Sequence, residues 1–230
     1  MKTKIIGHRG AAGLELENTV TSIKRAANLH VYAIEIDVRL TSDGKLVLSH
    51  DGDLVRTADD PRRISQLTLK ELQKIPLLDG STMLSLTQAL RIVGQIPLII
   101  ELKDSGSAHA LLRTLAKFPK AKVSIASFKL DELKLVRSLD DDILLYLLER
   151  TKPIESIQYA RVMKLDGIGL NYWLLNPLTY WYAKRSALKI YVYTVNIKFL
   201  VRFLGWLYPD VAICTDHPEW FVPKKRRKTK

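Results

Sequence analysis

The chain has 230 residues, of which 36 are Lys or Arg and 24 are Asp or Glu, so its formal net charge is +12. With 47% hydrophobic and 26% charged residues, the composition excludes a wholly disordered protein. No apolar run reaches the roughly 18 residues of a membrane-spanning helix. The single cysteine, Cys214, excludes an internal disulfide and a cysteine-rich zinc site. The start of the chain turns polar too soon for a signal peptide, so we expect a cytoplasmic protein.

Short apolar stretches alternate with helical stretches along the chain. The predicted strands are Lys4–Gly7, Ala33–Asp37, Leu98–Glu101, Lys122–Ala126, Ile143–Leu147, Gly167–Leu170, Ile190–Val195 and Val211–Cys214. The predicted helices are 17–29, 84–93, 107–117, 129–139, 154–163, 176–186 and 197–206. Candidate N-cap residues are Asn18 or Thr19, Ser85 and Asn196. Mostly continuous apolar strands alternating with helices predict an α/β fold, a closed (β/α)8 TIM barrel.

One segment, about 38–97, interrupts this alternation between the second and third predicted strands. The turn Thr41-Ser42-Asp43-Gly44 lies between alternating apolar residues and predicts a hairpin. A short helix near Leu69–Lys74 completes the small insertion. Because the sequence contains neither an internal repeat nor a low-complexity linker, we expect a single barrel domain over 1–222, followed by a basic tail, 223–230.

The tail segment 224–230 contains six basic residues and no acidic one, so it carries half of the net charge. A solubilising terminus is one interpretation of this tail. A nucleic-acid patch is another, although we expect no nucleic-acid partner from the chain as a whole. Peripheral contact with an anionic membrane is a third, because each basic residue near such a surface contributes roughly 1 kcal/mol.

Acidic residues stand at the ends of two neighbouring predicted strands, where TIM barrels place their active sites. Residues i and i+2 of a strand face the same side, so Glu35 points with Asp37, and Glu101 with Lys103. Three carboxylates at one barrel mouth repel one another unless a counter-charge is present. Oxygen ligands of this kind suit one divalent cation, Mg²⁺ or Ca²⁺. The alternative is surface salt bridges with Arg39 and Lys103.

Two histidines and two cations accompany this acidic cluster. His8 and Arg9 follow the first predicted strand, and His50 follows the predicted hairpin. A single histidine is more often structural than catalytic, but two histidines can supply an acid and a base near neutral pH. Arg9 and Lys103 suit contact with a phosphate group. The pattern therefore favours metal-assisted chemistry on a phosphate ester.

A series of short sequence blocks runs along residues 4–222. They are His8-Arg9-Gly10-Ala11-Ala12-Gly13-Leu14-Glu15-Leu16-Glu17-Asn18-Thr19, Glu35-Ile36-Asp37-Val38, Thr41-Ser42-Asp43-Gly44, His50-Asp51, Arg56-Thr57, Leu67-Thr68-Leu69-Lys70-Glu71-Leu72, Glu101-Leu102-Lys103, Ser127-Phe128, Tyr193-Thr194-Val195-Asn196 and Thr215-Asp216-His217-Pro218. Together and in this order, these blocks resemble the glycerophosphodiester phosphodiesterase family. The resemblance implies a (β/α)8 barrel that hydrolyses glycerophosphodiesters to glycerol 3-phosphate and an alcohol.

The same resemblance implies roles for individual residues. His8 and His50 would form the acid–base pair, and Glu35, Asp37 and Glu101 would hold the divalent cation. Either the neighbouring glycerol hydroxyl of the substrate attacks phosphorus to give a cyclic phosphate, or water attacks directly.

Arg9 and Lys103 would contact the phosphate. Tyr193 stands where the family usually has tryptophan, so it would form an aromatic wall of the substrate site. Leu16 replaces a proline, and Val211-Ala212 replaces an Asp-Gly pair; neither change removes a chemical group that the reaction needs.

Alternative functions remain open from the sequence. Aromatic residues at 171–175 and 180–182 either pack helices on the barrel or receive an acyl chain at its rim. The second case would suit a lysophospholipase D or a phospholipase-like barrel. The apolar segment 197–206 is either an outer helix or a self-association face, which leaves a homodimer open. An inactive barrel that binds nucleic acid or a membrane is the alternative of another class.

Overall fold

The computed structural model describes residues 3–221. In chain order the strands are β1 (Lys4–Gly7), β2 (Ala33–Leu40), β3 (Leu46–Leu48), β4 (Asp53–Leu54), β5 (Asp60–Arg63), β6 (Leu98–Leu102), β7 (Val123–Ser127), β8 (Leu144–Glu149), β9 (Gly167–Asn171), β10 (Lys189–Tyr193) and β11 (Ala212–Thr215). The α-helices are α1 (Val20–Asn28), α2 (Val55–Ala58), α3 (Leu69–Leu72), α4 (Leu86–Val93), α5 (Ser107–Leu115), α6 (Leu130–Leu139), α7 (Pro153–Val162), α8 (Pro177–Arg185) and α9 (Lys198–Leu207).

Eight of these strands close into the predicted TIM barrel. They pair in parallel in the order β1-β11-β10-β9-β8-β7-β6-β2, and β1 also pairs with β2. Each of the eight predicted strands is present, with ends displaced by a few residues at most. The seven predicted barrel helices are also present, so the predicted fold class is confirmed.

One predicted helix start and one predicted N-cap are wrong, and both errors involve an asparagine. The first helix begins at Val20 rather than at 17, and its N-cap is Thr19, one of the two predicted candidates. Asn18 has a left-handed φ of 58°, which a helix does not admit, and its amide bonds Asp37. Asn196 does not cap α9, whose N-cap is Ile197 without a side-chain bond. Ser85 caps α4 as predicted.

Strand alternation separates the barrel interior from the layer between strands and helices. Along β2, Ile34 and Ile36 face the outer core, whereas Ala33 belongs to the interior cluster. Glu35 and Asp37 share the interior parity with Ala33. Apolar side chains therefore pack in the barrel interior at the amino ends of the strands. Polar side chains line the interior toward the carboxyl ends. The interior cluster consists of Ile6, Ala33, Ile99, Ala126, Leu148, Tyr191, Ala212 and Cys214.

The segment between β2 and β6 forms an insertion with its own small core. β3 pairs antiparallel with the end of β2, with Leu40 opposite Leu46, which is the predicted hairpin. β4 and β5 form a second hairpin that the sequence did not predict. The predicted helix at Leu69–Lys74 is shorter, ending at Leu72. The core of the insertion consists of Val47, Leu54, Ile64, Leu72, Ile75 and Met83.

The loop after β1 is held against α1 by Ser22. The Ser22 hydroxyl donates to the Arg9 carbonyl at 2.6 Å and accepts from the Ala11 amide at 2.9 Å. Gly10, between these two residues, has a φ of +89°, and a Cβ there would lie 2.6 Å from the Ser22 carbonyl carbon. The close approach of the loop to α1 therefore requires glycine at this position.

We expect Gly10→Ala to destabilise the protein more than the matched control Gly44→Ala. Gly44 also has a positive φ, of +68°, but nothing lies within 4 Å of the point that a Cβ would occupy there. A left-handed alanine costs about 1–2 kcal/mol at either position, and overlap with α1 adds about 1–3 kcal/mol at Gly10 alone. Urea unfolding measures both variants; equal losses of unfolding free energy would contradict the packing argument.

Candidate active site

Three carboxylates converge inside the barrel at the carboxyl ends of β2 and β6. Asp37 and Glu101 are register partners on adjacent strands, and Glu35 lies two residues before Asp37. Each residue offers one carboxylate oxygen, and these three oxygens lie within 4.8 Å of one another. All three side chains are buried. The structure therefore brings together the three carboxylates that the sequence analysis named as metal ligands.

Electrostatic repulsion within this cluster is only partly neutralised by the protein. Burial and the adjacent Asp37 carboxylate raise the pKa of Glu35 to about 8. Burial also raises the pKa of Glu101, again with a contribution from Asp37. Burial disfavours ionisation of Asp37 as well, but Lys103 and Arg9 outweigh it and hold the pKa of Asp37 well below its usual range. Asp37 thus carries the fixed negative charge of the cluster.

The two predicted phosphate-contacting cations lie among these carboxylates. The Lys103 ammonium is 2.8 Å from Asp37 Oδ1 and 2.6 Å from Glu101 Oε1. Arg9 Nε is 3.1 Å from Asp37 Oδ2. These ion pairs are buried rather than at the surface, and Arg39 pairs with Asp104 instead. The salt bridges of the alternative interpretation therefore form with Lys103, but in the barrel interior, and not with Arg39.

The carboxylate cluster fits a hard divalent cation. Its donor set is oxygen only, which is the set that Mg²⁺ and Ca²⁺ prefer. Buried Asp37 Oδ1 receives no hydrogen bond of normal geometry, although the Lys103 ammonium is close. The Asp37 carboxylate lies close to those of Glu35 and Glu101 and is a suitable ligand. Glu35, Asp37 and Glu101 are thus the residues that can hold such an ion.

His8 is held at the seam where the barrel closes. Its Nδ1 is 2.6 Å from Asp216 Oδ1, beyond the end of β11, and its Nε2 is 4.0 Å from Glu35 Oε2. Asn196 fixes Asp216 in turn, accepting from its backbone amide at 2.9 Å. Burial lowers the pKa of His8, but the bond to Asp216 and the charge of Glu35 outweigh it, so the pKa is raised.

His50 has a different environment, at the start of the insertion. Its Nδ1 is 2.7 Å from Asp51 Oδ1, and its backbone carbonyl accepts two bonds from the Arg39 guanidinium. Arg56 holds Asp51 at 2.7 Å. Burial and the Lys103 ammonium lower the pKa of His50. The pKa values of the two histidines are therefore shifted in opposite directions, as an acid and a base require.

Tyr193 lies in the wall beside these groups. It lines a small cavity together with His8, Glu35 and Glu101. Its hydroxyl donates to the Glu149 carbonyl at 2.9 Å, so the aromatic face rather than the hydroxyl is available to a ligand. A neighbouring cleft of about 350 Å³ contains His50 and opens to solvent; its lining includes Arg39, Asp51, Lys103, Phe128 and Arg150.

Several residues that organise the site have no role predicted from the sequence. Asn18 donates to Asp37 Oδ2 at 3.1 Å. Glu17 accepts from both Arg9 and Arg56. Asp216, the partner of His8, belongs to the same group. All three lie in blocks that carry the family resemblance, and this was the only signal that could have found them.

The aromatic segments of the chain divide between rim and core. Trp173 is 74% exposed in a short turn beyond the end of β9. Tyr180 and Tyr182 are partly buried against the outer core, as helix packing requires. Cys214 is buried in the barrel interior. The basic tail predicted at 223–230 lies outside the described residues.

Comparisons with known proteins agree with the resemblance. The Glycerophosphoryl diester phosphodiesterase family matches residues 8–220. The chain is 27% identical over 242 residues to a glycerophosphodiester phosphodiesterase of Caldanaerobacter subterraneus subsp. tengcongensis, covering 99% of both chains. It is 26% identical over 253 residues to one of Bacillus subtilis, covering 96% of this chain and 86% of that protein.

Solved structures show the same barrel. A phosphodiesterase of Oleispira antarctica in complex with the product sn-glycerol-3-phosphate aligns with a TM-score of 0.88 at 24% identity, covering 95% of this chain and 94% of that one. A glycerophosphodiester phosphodiesterase of Thermotoga maritima aligns with a TM-score of 0.84 at 25% identity, covering 96% and 98%.

The protein is an enzyme of the phosphoric diester hydrolase class. Within that class the chain belongs to the glycerophosphoryl diester phosphodiesterase family. The alternative of an inactive binding barrel has no support, because every predicted polar group of the site is present and brought into one region.

We expect the affinity of the protein for Mg²⁺ or Ca²⁺ to rise with pH up to about 8. Glu35 has its pKa raised to about 8, so it carries a proton at neutral pH, and a carboxyl group must lose that proton to bind a cation. Calorimetric titration in buffers of different ionisation enthalpy measures the released proton.

Glu35→Gln should bind the ion more weakly and release no proton. Glu132→Gln is the matched control, because the Glu132 carboxylate is also buried but accepts from the Gly106 amide at the start of α5. The control should keep the proton release of the unchanged protein. An affinity independent of pH across neutrality would contradict the assignment of Glu35.

Proposed function

We propose that the protein hydrolyses glycerophosphodiesters to glycerol 3-phosphate and an alcohol in a metal-dependent reaction, with His8 and His50 as the acid–base pair. The observation that carries this proposal is the position of the two histidines beside one buried carboxylate cluster, each fixed through Nδ1 by its own aspartate. Glu35, Asp37 and Glu101 would hold the cation, Mg²⁺ or Ca²⁺. A bound cation stabilises the negative charge that develops on the phosphoryl oxygens.

His50 is the better candidate for the general base. Its lowered pKa keeps the imidazole neutral at physiological pH, and the Asp51 bond at Nδ1 leaves Nε2 free to accept a proton. In the proposed step His50 takes the proton of the attacking oxygen as that oxygen bonds to phosphorus. The attacking group is either water, which gives glycerol 3-phosphate directly, or the neighbouring glycerol hydroxyl of the substrate. In the second case the product is a cyclic phosphate, and water must then open the ring to give glycerol 3-phosphate.

His8 is the better candidate for the general acid. Its raised pKa favours the protonated imidazolium, and Asp216 stabilises that charge. In the proposed step the bond between phosphorus and the alcohol oxygen breaks, and His8 Nε2 gives its proton to that oxygen. The released alcohol therefore leaves neutral rather than as an alkoxide.

Arg9 and Lys103 support phosphate binding by their position. Both cations lie beside the carboxylate cluster, where a phosphoryl group would approach the metal ligands. The Lys103 side chain is 9% exposed, so its charge acts in surroundings of low dielectric. A phosphate at this point would compete with Asp37 for both cations.

The size of the cleft favours a small glycerophosphodiester. Tyr193 supplies an apolar wall, and the 350 Å³ cleft suits a headgroup of a few atoms. Trp173, exposed beyond β9, supports a lysophospholipid as the second candidate substrate, since an acyl chain needs an apolar rim.

A homodimer and a cytoplasmic location remain predictions.

We expect the protein to release glycerol 3-phosphate from glycerophosphocholine, to lose this activity with EDTA, and to regain it with Mg²⁺ or Ca²⁺. His8→Gln or His50→Gln should lower kcat about 10²–10⁴-fold, the usual contribution of a general acid or base. An enzyme-coupled assay for glycerol 3-phosphate measures both effects. His109→Gln is the matched control, because His109 is exposed on α5.

Near-normal turnover of either site variant would overturn the acid–base assignment. Full activity of the EDTA-treated protein would overturn the metal dependence. Release of the product from lysophosphatidylcholine in preference to glycerophosphocholine would favour the second candidate substrate.

We expect Asp216→Asn to lower kcat about 10²-fold and to move the alkaline limb of its pH profile to lower pH. Asp216 raises the pKa of His8, so its removal makes the acid lose its proton at lower pH. Asp210→Asn is the matched control, since Asp210 pairs with Lys184 away from the site. An unshifted profile with a reduced kcat would indicate a role of Asp216 in folding alone.

A further inference from the structure

Helix α9 presents an exposed aromatic face on the outside of the barrel. Phe199 is 75% exposed, Phe203 43% and Trp206 76%. The rings form a continuous row, because the Phe199–Phe203 and Phe203–Trp206 centroids are each 6.3 Å apart. Single exposed apolar side chains are ordinary, but a contiguous row on one helix marks an interaction site.

The opposite face of α9 fixes the orientation of this row. Val201 and Leu204 are buried in the outer core. Gly205 packs so tightly on Thr3 that an added Cβ would lie within 2.8 Å of the Thr3 methyl carbon. The helix therefore cannot rotate to bury its aromatic face against its own barrel.

The neighbouring helix α8 presents a further exposed aromatic ring. Tyr180 packs on Tyr208 at the end of α9, with ring centroids 4.9 Å apart. Tyr182 accepts from Gln158 of α7 on the other side. Trp181 lies between these two contacts and faces outward, more than half exposed.

The charged residues within α8 and α9 are all basic. Neither α8 nor α9 contains an acidic residue. Lys184 is neutralised by Asp210 at 2.6 Å. Among the described residues, Arg185, Lys198 and Arg202 have no carboxylate within 4.0 Å in any ion pair, and Arg185 lies 5.0 Å over the Trp181 ring. Exposed aromatic rings flanked by unpaired cations are typical of helices that lie in a bilayer interface.

Phe221, the last described residue, lies near Gly205 of α9. Phe221 and Thr3 line one cavity, and Thr3 contacts Gly205 of α9. The remaining segment, 222–230, has six basic residues and one large apolar residue, Val222. This composition is unsuited to covering three aromatic rings.

We propose that the aromatic face of α9, Phe199, Phe203 and Trp206, binds the interface of an anionic lipid bilayer. The rings would enter the headgroup region while the flanking cations contact acidic headgroups. A second copy of this chain is a poorer occupant, because pairing two such faces would bring like charges together. This inference does not depend on the catalytic proposal.

Vesicle binding of the full chain tests the proposal. We expect the protein to co-sediment with vesicles of phosphatidylcholine containing phosphatidylglycerol, and far less with pure phosphatidylcholine. Phe199→Ser with Trp206→Ser should weaken binding about tenfold or more, since both rings lose apolar burial. Lys198→Gln with Arg202→Gln should weaken binding only to the anionic vesicles.

The matched control is Leu78→Ser with Leu139→Ser, which removes two comparably exposed apolar side chains from other sectors of the barrel. This control should bind vesicles like the unchanged protein. Acyl-brominated lipids should quench tryptophan emission, and Trp206→Ser should reduce that quenching if the ring enters the bilayer.

Three results would overturn the proposal. The first is unchanged vesicle binding of the Phe199→Ser, Trp206→Ser variant. The second is binding without acyl-bromine quenching, which would indicate adsorption by charge alone. The third is a dimer in sedimentation velocity that the same double variant dissociates, without binding to vesicles, which would assign the face to a second copy.

Discussion

The placement of three buried carboxylates within 4.8 Å of one another is the constraint around which this barrel is organised. In a low-dielectric interior such charges repel strongly, and the protein offsets this repulsion only in part, with Lys103, Arg9 and the nearby His8. The raised pKa of Glu35 is the result. In the metal-free protein its stabilising contribution is present below the ordinary pKa of a glutamate. That contribution is lost as the pH rises through about 8.

The barrel confines the repulsion among these carboxylates to the carboxyl ends of its strands. In β1, β2 and β6 the inward-facing positions begin with an apolar residue and end with a polar one: Ile6 precedes His8, Ala33 precedes Glu35, and Ile99 precedes Glu101. Along these strands the interior is therefore apolar at the amino ends, and it is polar and open toward the cleft at the carboxyl ends. Stability and chemistry depend on different residues of the same strands, which is why the barrel tolerates an electrostatically unfavourable site.

Features with short-range signals could be predicted from the sequence. Continuous apolar strands, the turn at 41–44 and the i, i+2 pairs of Glu35 with Asp37 and Glu101 with Lys103 each depend on neighbouring residues. The second hairpin could not, because β4 has only two residues and leaves no periodic pattern.

The sequence also could not predict which residues far apart in the chain contact each other. Asn196 has the chemistry of an N-cap, and a local rule predicts that role; in the structure its side chain bonds Asp216 instead. His8 and Asp216 are 208 positions apart, so no spacing relates them. Their contact depends on the closure of the barrel, where β1 meets β11. During synthesis His8 leaves the ribosome long before Asp216. A nascent chain thus contains the residues of the carboxylate cluster well before the partner of His8 exists, and the complete site arises only when the ring of strands closes.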